Sequence, residues 1–488
     1  MDQRVVVAID VGTTGIRAIA VNRAVEIVAQ AYQSFPQHTP RPGWVEHDPQ
    51  DILATTRTVL REVAAQVGAA HIVSIGITNQ RETTIVWDAA TGMPIYNAIV
   101  WQCRRTEGMC AELASHAKTV KQKTGLFLDP YFSATKIRWI LEHVRGAYEK
   151  ARHGRLKFGT VDTWLVWHLT GGKVHATEPS NASRTMLFDI AVGGFDDDLL
   201  AIFDVPRDLL PEVRASDASF GVLDPEILGR EIPICGILGD QQASLFAHGG
   251  WQTGVVKNTY GTGLFVMAGT GERMAHAPSL VTTVAWQRGG RTSYALEGSV
   301  FMGGATLQWL RDNLGIIASV EESAALAASL EENEGVYFVP ALQGLGAPHW
   351  RSDARGTIVG LTRRSTKAHL VRAALEAMAY QTRDVIEEMR AHLPSVVAAL
   401  RVDGGACRND VLMQFQSDIL AIPLERPAIT ESTALGVAGL SGIAQGFWTA
   451  DEFIARAATT ERVFTPSMAE KERAQLYKGW REALTRAL

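Results

Sequence analysis

The sequence predicts an α/β protein built as two packed lobes that face each other across a cleft. Three observations predict it. A glycine-tipped hairpin opens the chain, a second of the same plan starts near the midpoint, and strand, glycine-turn and helix patterns alternate through the rest. A chain of 488 residues, at roughly 150 per domain, suits two to three folding units. No low-complexity linker interrupts it, so the expected lobes, 1–246 and 247–488, pack together.

Val5-Val6-Val7-Ala8-Ile9 is a continuous, β-branched apolar run, the pattern of a strand buried on both faces. Asp10-Val11-Gly12-Thr13-Thr14-Gly15 forms the turn, and residues 16–21 alternate back as the return strand. Residues 71–78 read as another strand. The opening pattern recurs where residues 255–259 lead into Tyr260-Gly261-Thr262-Gly263 and residues 264–267 return. Gly12 and Gly261 stand about half the chain apart, which predicts one hairpin per lobe with the tips facing each other. Residues 370–389 place Leu370, Ala374, Leu375, Met378, Val385, Ile386 and Met389 on one stripe, predicting a long helix. Leu400-Arg401-Val402 then reads as a strand that ends in the glycine turn Asp403-Gly404-Gly405-Ala406.

Composition removes several classes of function. A net charge of -5 supplies no basic field for a nucleic acid. No apolar run reaches the ~18 residues of a membrane helix, so no membrane insertion is expected. Met1-Asp2-Gln3-Arg4 runs straight into a strand without a secretory pattern, and the expected compartment is the cytoplasm. Cys103, Cys110, Cys235 and Cys407 fit neither a zinc knuckle nor a disulfide frame and read as reduced, buried thiols.

The first tip combines amides that can approach an anion, threonine hydroxyls, a leading carboxylate at Asp10 and Arg17 just beyond. Judged alone it fits an ordinary hairpin turn. Gly261-Thr262-Gly263 offers the same chemistry from the other lobe, and two such loops suit a nucleotide's phosphates held from both sides. Gly404-Gly405-Ala406, with Asn409 beyond, lets a flat ring lie close to backbone.

Longer motifs identify a resemblance. Tyr131-Phe132-Ser133-Ala134-Thr135-Lys136-Ile137-Arg138-Trp139-Ile140 and Gly356-Thr357-Ile358-Val359-Gly360-Leu361 resemble the two signatures of the FGGY carbohydrate kinase family. Residues 158–165 and Asn181-Ala182-Ser183-Arg184-Thr185-Met186-Leu187 are similar to its glycerol kinases. The resemblance implies two actin-like (ribonuclease H-like) lobes with an ATP cleft between them. The implied activity is glycerol phosphorylation with ATP and Mg2+, and the expected assembly is a homo-oligomer, dimer or tetramer.

Carried over residue by residue, the resemblance places Arg81 and Glu82 on vicinal hydroxyls, where donor and acceptor stand side by side. A surface ion pair is the competing reading. Trp101 and Phe265 become aromatic walls rather than core, while Tyr131 and Gln241 become substrate contacts. Asp240 becomes the general base, although an Asp ahead of helix formers also reads as an N-cap. Thr13, Thr14, Gly15, Arg17 and Thr262 would meet phosphates, and Gly304, Gln308, Gly405 and Asn409 the nucleotide. Asp10 and Asp240 would hold the metal, Asp10 partly through water.

The chain also departs from the pattern. Many glycerol kinases read Asp-Gln-Gly-Thr-Thr-Ser-Ser-Arg at the first tip, where this sequence has Val11, Gly15 and Ile16. One hydroxyl near the phosphates is lost, which puts ATP affinity in question. Glu231 stands where some relatives bind fructose 1,6-bisphosphate through Arg, so insensitivity to it is expected. Two alternatives stay open: a kinase of the same family for erythritol or a ketopentose, and a non-catalytic actin-like ATP-binding protein. Turnover indifferent to polyols would mark the second.

Overall fold

The computed structural model describes every residue except 1, 253 and 394–396. The first lobe holds β1 (Val5–Val11), β2 (Gly15–Asn22), β3 (Ile27–Ser34), α1 (Pro49–Val67), β4 (Ile72–Asn79), β5 (Ser219–Val222), β6 (Pro233–Gly239) and α2 (Asp240–Ala247). The second holds β7 (Val256–Tyr260), β8 (Leu264–Gly271), β9 (Val281–Arg288), β10 (Arg291–Val300), α3 (Gly304–Asp312) and α4 (Lys367–Arg390). It continues through β11 (Leu400–Asp403), α5 (Asp410–Leu420), β12 (Leu424–Pro427), α6 (Ser432–Ala444) and β13 (Thr460–Phe464).

The hairpins form where the glycine tips predict them. β1 pairs antiparallel with β2 and parallel with β4; β7 pairs antiparallel with β8 and parallel with β11. The likeness extends across both sheets. The first runs β5-β6-β4-β1-β2-β3, the second β13-β12-β11-β7-β8-β10 with β9 added at its edge. Strand for strand, the directions match. The weak repeat in the sequence is thus a repeat of topology.

The remaining expectations shift by a residue or a turn. The strand expected over 71–78 is Ile72–Asn79, because residues Ala69–His71 tighten into a 3-10 turn. The helix expected over 370–389 begins at Lys367, where Thr366 and His369 cap it reciprocally. Asp240 is not an N-cap: Gly239 holds that position, and Asp240 is the first helical residue.

The lobes meet through an apolar layer that includes Val6, Ala8, Leu238, Ala243, Met267 and Ala438. At its centre α6 crosses α2 so closely that a Cβ on Gly436 would collide with the Ala243 carbonyl oxygen. Only glycine permits that crossing. Among the described residues no helix is long and apolar enough to cross a membrane. All four cysteines are buried and unpaired.

Candidate active site

Each tip closes with the same bond. The Gly12 N–H donates to the Gly15 carbonyl, and the Gly261 N–H to the Gly263 carbonyl, both at 3.0 Å. Gly303 and Ala305 donate to the Thr262 carbonyl at 2.9 and 3.1 Å, and Gly304 to the Gly261 carbonyl at 2.9 Å, which ties the second tip to the start of α3. Gly404, at φ 84°, lies against the Tyr260 backbone with no room for a Cβ. The tip, Gly304 and the turn bearing Gly405 therefore share one neighbourhood, and Gly405 faces open space. Gln308 is exposed one turn into α3. Asn409 caps α5, accepting from the Leu412 N–H at 3.1 Å. At the first tip Thr14 is exposed and Gly15 buried. The Arg17 guanidinium, expected on phosphate, pairs with Glu431 at 2.6 Å across the lobes.

All the expected polyol residues line one cavity of about 130 Å³ between the tips. Arg81 and Glu82 reach it from the end of β4, Asp240 and Gln241 from the start of α2, and Phe265 from β8. Trp101 stands edge-on to Tyr131 and to Phe265, with ring centroids 5.6 and 6.2 Å away. Its indole N–H donates to the Thr13 hydroxyl at 3.0 Å, joining the cavity to the first tip. Glu82 sits at φ 63°, a left-handed conformation that costs on the order of 1–3 kcal/mol in a non-glycine residue.

Beneath the cavity lies a buried square of charge. Arg81 donates through Nη1 and Nη2 to Glu297 at 2.5 and 3.0 Å, and Arg184 donates to Glu297 at 2.9 Å and to Glu82 at 2.6 Å. Arg81 also donates to Gln242 at 3.1 Å, and its Nε lies 3.3 Å from Asp240. The Gln241 amide oxygen accepts from Lys257 Nζ at 2.5 Å, which leaves its –NH2 to donate. Besides that –NH2, the groups at the cavity left without a hydrogen-bond partner among the described residues include one carboxylate oxygen each on Glu82 and Asp240, one Arg81 N–H and the Tyr131 hydroxyl.

Electrostatics divides the carboxylates. Burial pushes the Asp240 carboxyl up, against the pull of Arg81. Burial and the facing Asp240 push Asp10 up to about 7. Burial also raises Glu82, partly offset by Arg184 and Arg81. Glu297 is buried too, yet Arg184 and Arg81 hold it down at about 2. Among the described residues no group of three or more His, Cys, Asp or Glu could hold a metal by itself.

Residues 5–247 match the N-terminal domain model, and residues 256–445 the C-terminal domain model, of the FGGY family of carbohydrate kinases. The chain belongs to that family. The kinase is 53% identical over 493 residues to a glycerol kinase of Carboxydothermus hydrogenoformans, covering 100% of this chain and 99% of the relative. It is 53% identical over 485 residues to that of Aquifex aeolicus, covering 99% of each. A Plasmodium falciparum glycerol kinase solved with ADP superposes with a TM-score of 0.91 at 34% identity, covering 99% of this chain and 98% of that one. A gluconate kinase of Lactobacillus acidophilus, at 21% identity and TM-score 0.88 over 99% and 97% of the two chains, shares the fold. The kinase thus has two actin-like lobes.

Sequence reading missed four side chains around this site: Glu297, Lys257, Gln242 and Glu431. Arg184 entered only as part of a motif. A signal existed for two of them, since Lys257 is the one charge of its short strand and Glu297 stands in the buried half of its own, away from the exposed Arg291 that opens it. Such charges are buried only when partnered. Lys257 is fully buried, which lowers its ammonium to about 8.

Proposed function

We propose that this kinase transfers the γ-phosphoryl group of ATP to a terminal hydroxyl of glycerol, giving sn-glycerol 3-phosphate. The supporting observation is the cavity at the inter-lobe boundary. At about 130 Å³ it is far smaller than the ~300–1,000 Å³ of ordinary ligand pockets, and its free donors and acceptors are few and alternate in kind. The Arg81 N–H and the Glu82 oxygen bind vicinal hydroxyls, Tyr131 and Gln241 add hydrogen bonds, and Trp101 and Phe265 cover the carbons. The names of the full-length relatives point to the same substrate.

Transfer is direct and in line. The free Asp240 oxygen accepts the hydroxyl proton as the alcohol attacks the γ-phosphorus, and ADP leaves on the far side. Burial raises the basicity of Asp240, which suits it to the task. Thr13, Thr14, Arg17, Thr262 and the Gly15 amide bear on charge at the transferring group. Gly304, Gln308, Gly405 and Asn409 hold the nucleotide. Asp10 and Asp240 fit magnesium, because burial and the Asp240 charge raise Asp10 to about 7 even against the pull of Arg17, so a further cation between the two carboxylates would be favoured. Magnesium would supply charge neutralisation across the phosphates. The lobes are read as 1–246 and 247–488, in a cytoplasmic homo-oligomer.

One observation favours a second acceptor. Trp101 and Tyr131 also border an opening of about 840 Å³ with Trp44, Phe301 and Gln343, into which a four- or five-carbon polyol could extend. A coupled assay of ADP release over glycerol, erythritol, dihydroxyacetone, xylulose and ribulose decides. Glycerol should give the highest kcat/KM; ATP turnover indifferent to all five would remove the reading.

A further inference from the structure

We infer that Glu297, on β10 of the second lobe, is a positioning residue for the polyol pocket of the first. It holds Arg81 in a fork that leaves one guanidinium N–H for the acceptor. The inference rests on the polyol reading above.

Glu297 is wholly buried, and its strand leaves it no freedom to drift. It pairs in register with Met267 on β8 and Val281 on β9, so it sits on a strand flanked on both sides. β8 is also the strand that leaves the second tip. The carboxylate that grips Arg81 is therefore fixed to the loop at Gly261-Thr262-Gly263. The Ser299 hydroxyl adds a bond to it at 3.1 Å.

Arg81 has five N–H donors. Glu297 takes one from Nη1 and one from Nη2, Gln242 takes the second on Nη1, and Nε faces Asp240. One Nη2 hydrogen is left. Without the Glu297 charge, the buried Arg81 and Arg184 would share only Glu82 and Asp240. Arg81 would then turn onto the acceptor oxygens that the polyol and the proton transfer need. The damage falls on acceptor binding, although Glu297 belongs to the nucleotide lobe. Because the fork crosses the cleft, the pocket is complete only when the lobes are docked.

The test is full kinetics of the full-length enzyme with Glu297→Gln and Glu297→Asp. Glu297→Gln should raise KM for glycerol about 10- to 100-fold and change KM for ATP by less than about threefold. Glu297→Asp, which keeps the charge on a shorter stem, should recover part of the loss. An unchanged glycerol KM, an equal rise in both KM values, or an Asp variant no better than Gln overturns the inference. If Glu297→Gln does not fold, Glu297→Asp, whose shorter stem loosens the grip on Arg81, must itself show a raised KM for glycerol with KM for ATP unchanged. A wild-type enzyme that prefers another polyol removes the glycerol reading alone, and the split is then measured on that polyol. A wild-type enzyme that turns over no polyol removes both.

Discussion

At the first tip Gly12 closes its turn on Gly15, and at the second Gly261 closes on Gly263, with the same bond length and the same neighbouring strands. Around those matching turns the side chains diverge. Asp10 and Arg17 flank the first tip, and Thr13 ties it to Trp101 and so to the polyol cavity. The second carries no charge from Tyr260 to Gly263 and is held by backbone bonds to the start of α3. One duplicated scaffold has thus been divided into a lobe of reactive side chains and a lobe of backbone and position. Glu297 fits that division, since it reaches across to orient a residue of the first lobe.

The largest expected effect tests where the chemistry lies. Asp240→Asn should lower kcat by about 10²–10⁴ while ATP and glycerol still bind, as seen by calorimetry. No single substitution at the second tip should match it. Near-normal turnover in Asp240→Asn would take the base out of the first lobe.

Next comes acid stability. His47, His168 and His175 all belong to the first lobe, and burial lowers each to about 4. Between pH 6.5 and about 4 the unfolded chain binds protons that the folded lobe refuses, so stability is lost as pH falls through that window. For His47, fully buried behind the tip, the loss by pH 5 is about 2 kcal/mol, with less for the two partly exposed histidines. Denaturant midpoints should drop from pH 7 to pH 5. Emission should change early at Trp164 and Trp87, whose rings lie 4.0 Å from His168 and 5.5 Å from His175. Midpoints that stay level over that range would show that the buried histidines do not set the first lobe apart.

A smaller effect compares the tips directly. Thr262→Val should raise KM for ATP about three- to tenfold and leave glycerol unaffected. Thr13→Val should raise both, because the Thr13 hydroxyl also accepts from Trp101. Identical profiles would mean the coupling through Trp101 carries no energy.

What could be read from the sequence was local. The tips, β4, α4 and the glycine turn follow from patterns a few residues long. Arg81, Glu82 and Asp240 needed family likeness, because an isolated Arg-Glu or a helix-start Asp has ordinary explanations. Partnerships were beyond reach: Arg81 and Glu297 lie 216 positions apart, and Arg17 and Glu431 lie 414 apart. A buried charge in a strand announces that a partner exists without saying which. Likewise the glycines of α6 read as poor helix formers until α2 is seen against Gly436.

The smallest expected effect concerns the hydroxyl missing from the first tip. A Cβ at Gly15 would collide with the Tyr32 phenol. Tyr32 faces Arg17 across the β2–β3 pair, with the guanidinium 5.8 Å from its ring. The tip therefore still has a hydroxyl beside it, borne on β3 instead of on residue 15. Tyr32 is 57% exposed, so Gly15→Ser need only turn its ring further toward solvent, and KM for ATP should change less than about threefold. Tyr32→Phe keeps the ring beside Arg17 and removes only the hydroxyl; a two- to threefold rise in KM for ATP, roughly half a kcal/mol, is expected. Gly15→Ser combined with Tyr32→Ala should then return KM toward the wild-type value by supplying the hydroxyl from the tip. If KM stays the same in all three variants, the side chains past Thr14 contribute nothing to phosphate binding, and the first tip works through its backbone as the second does.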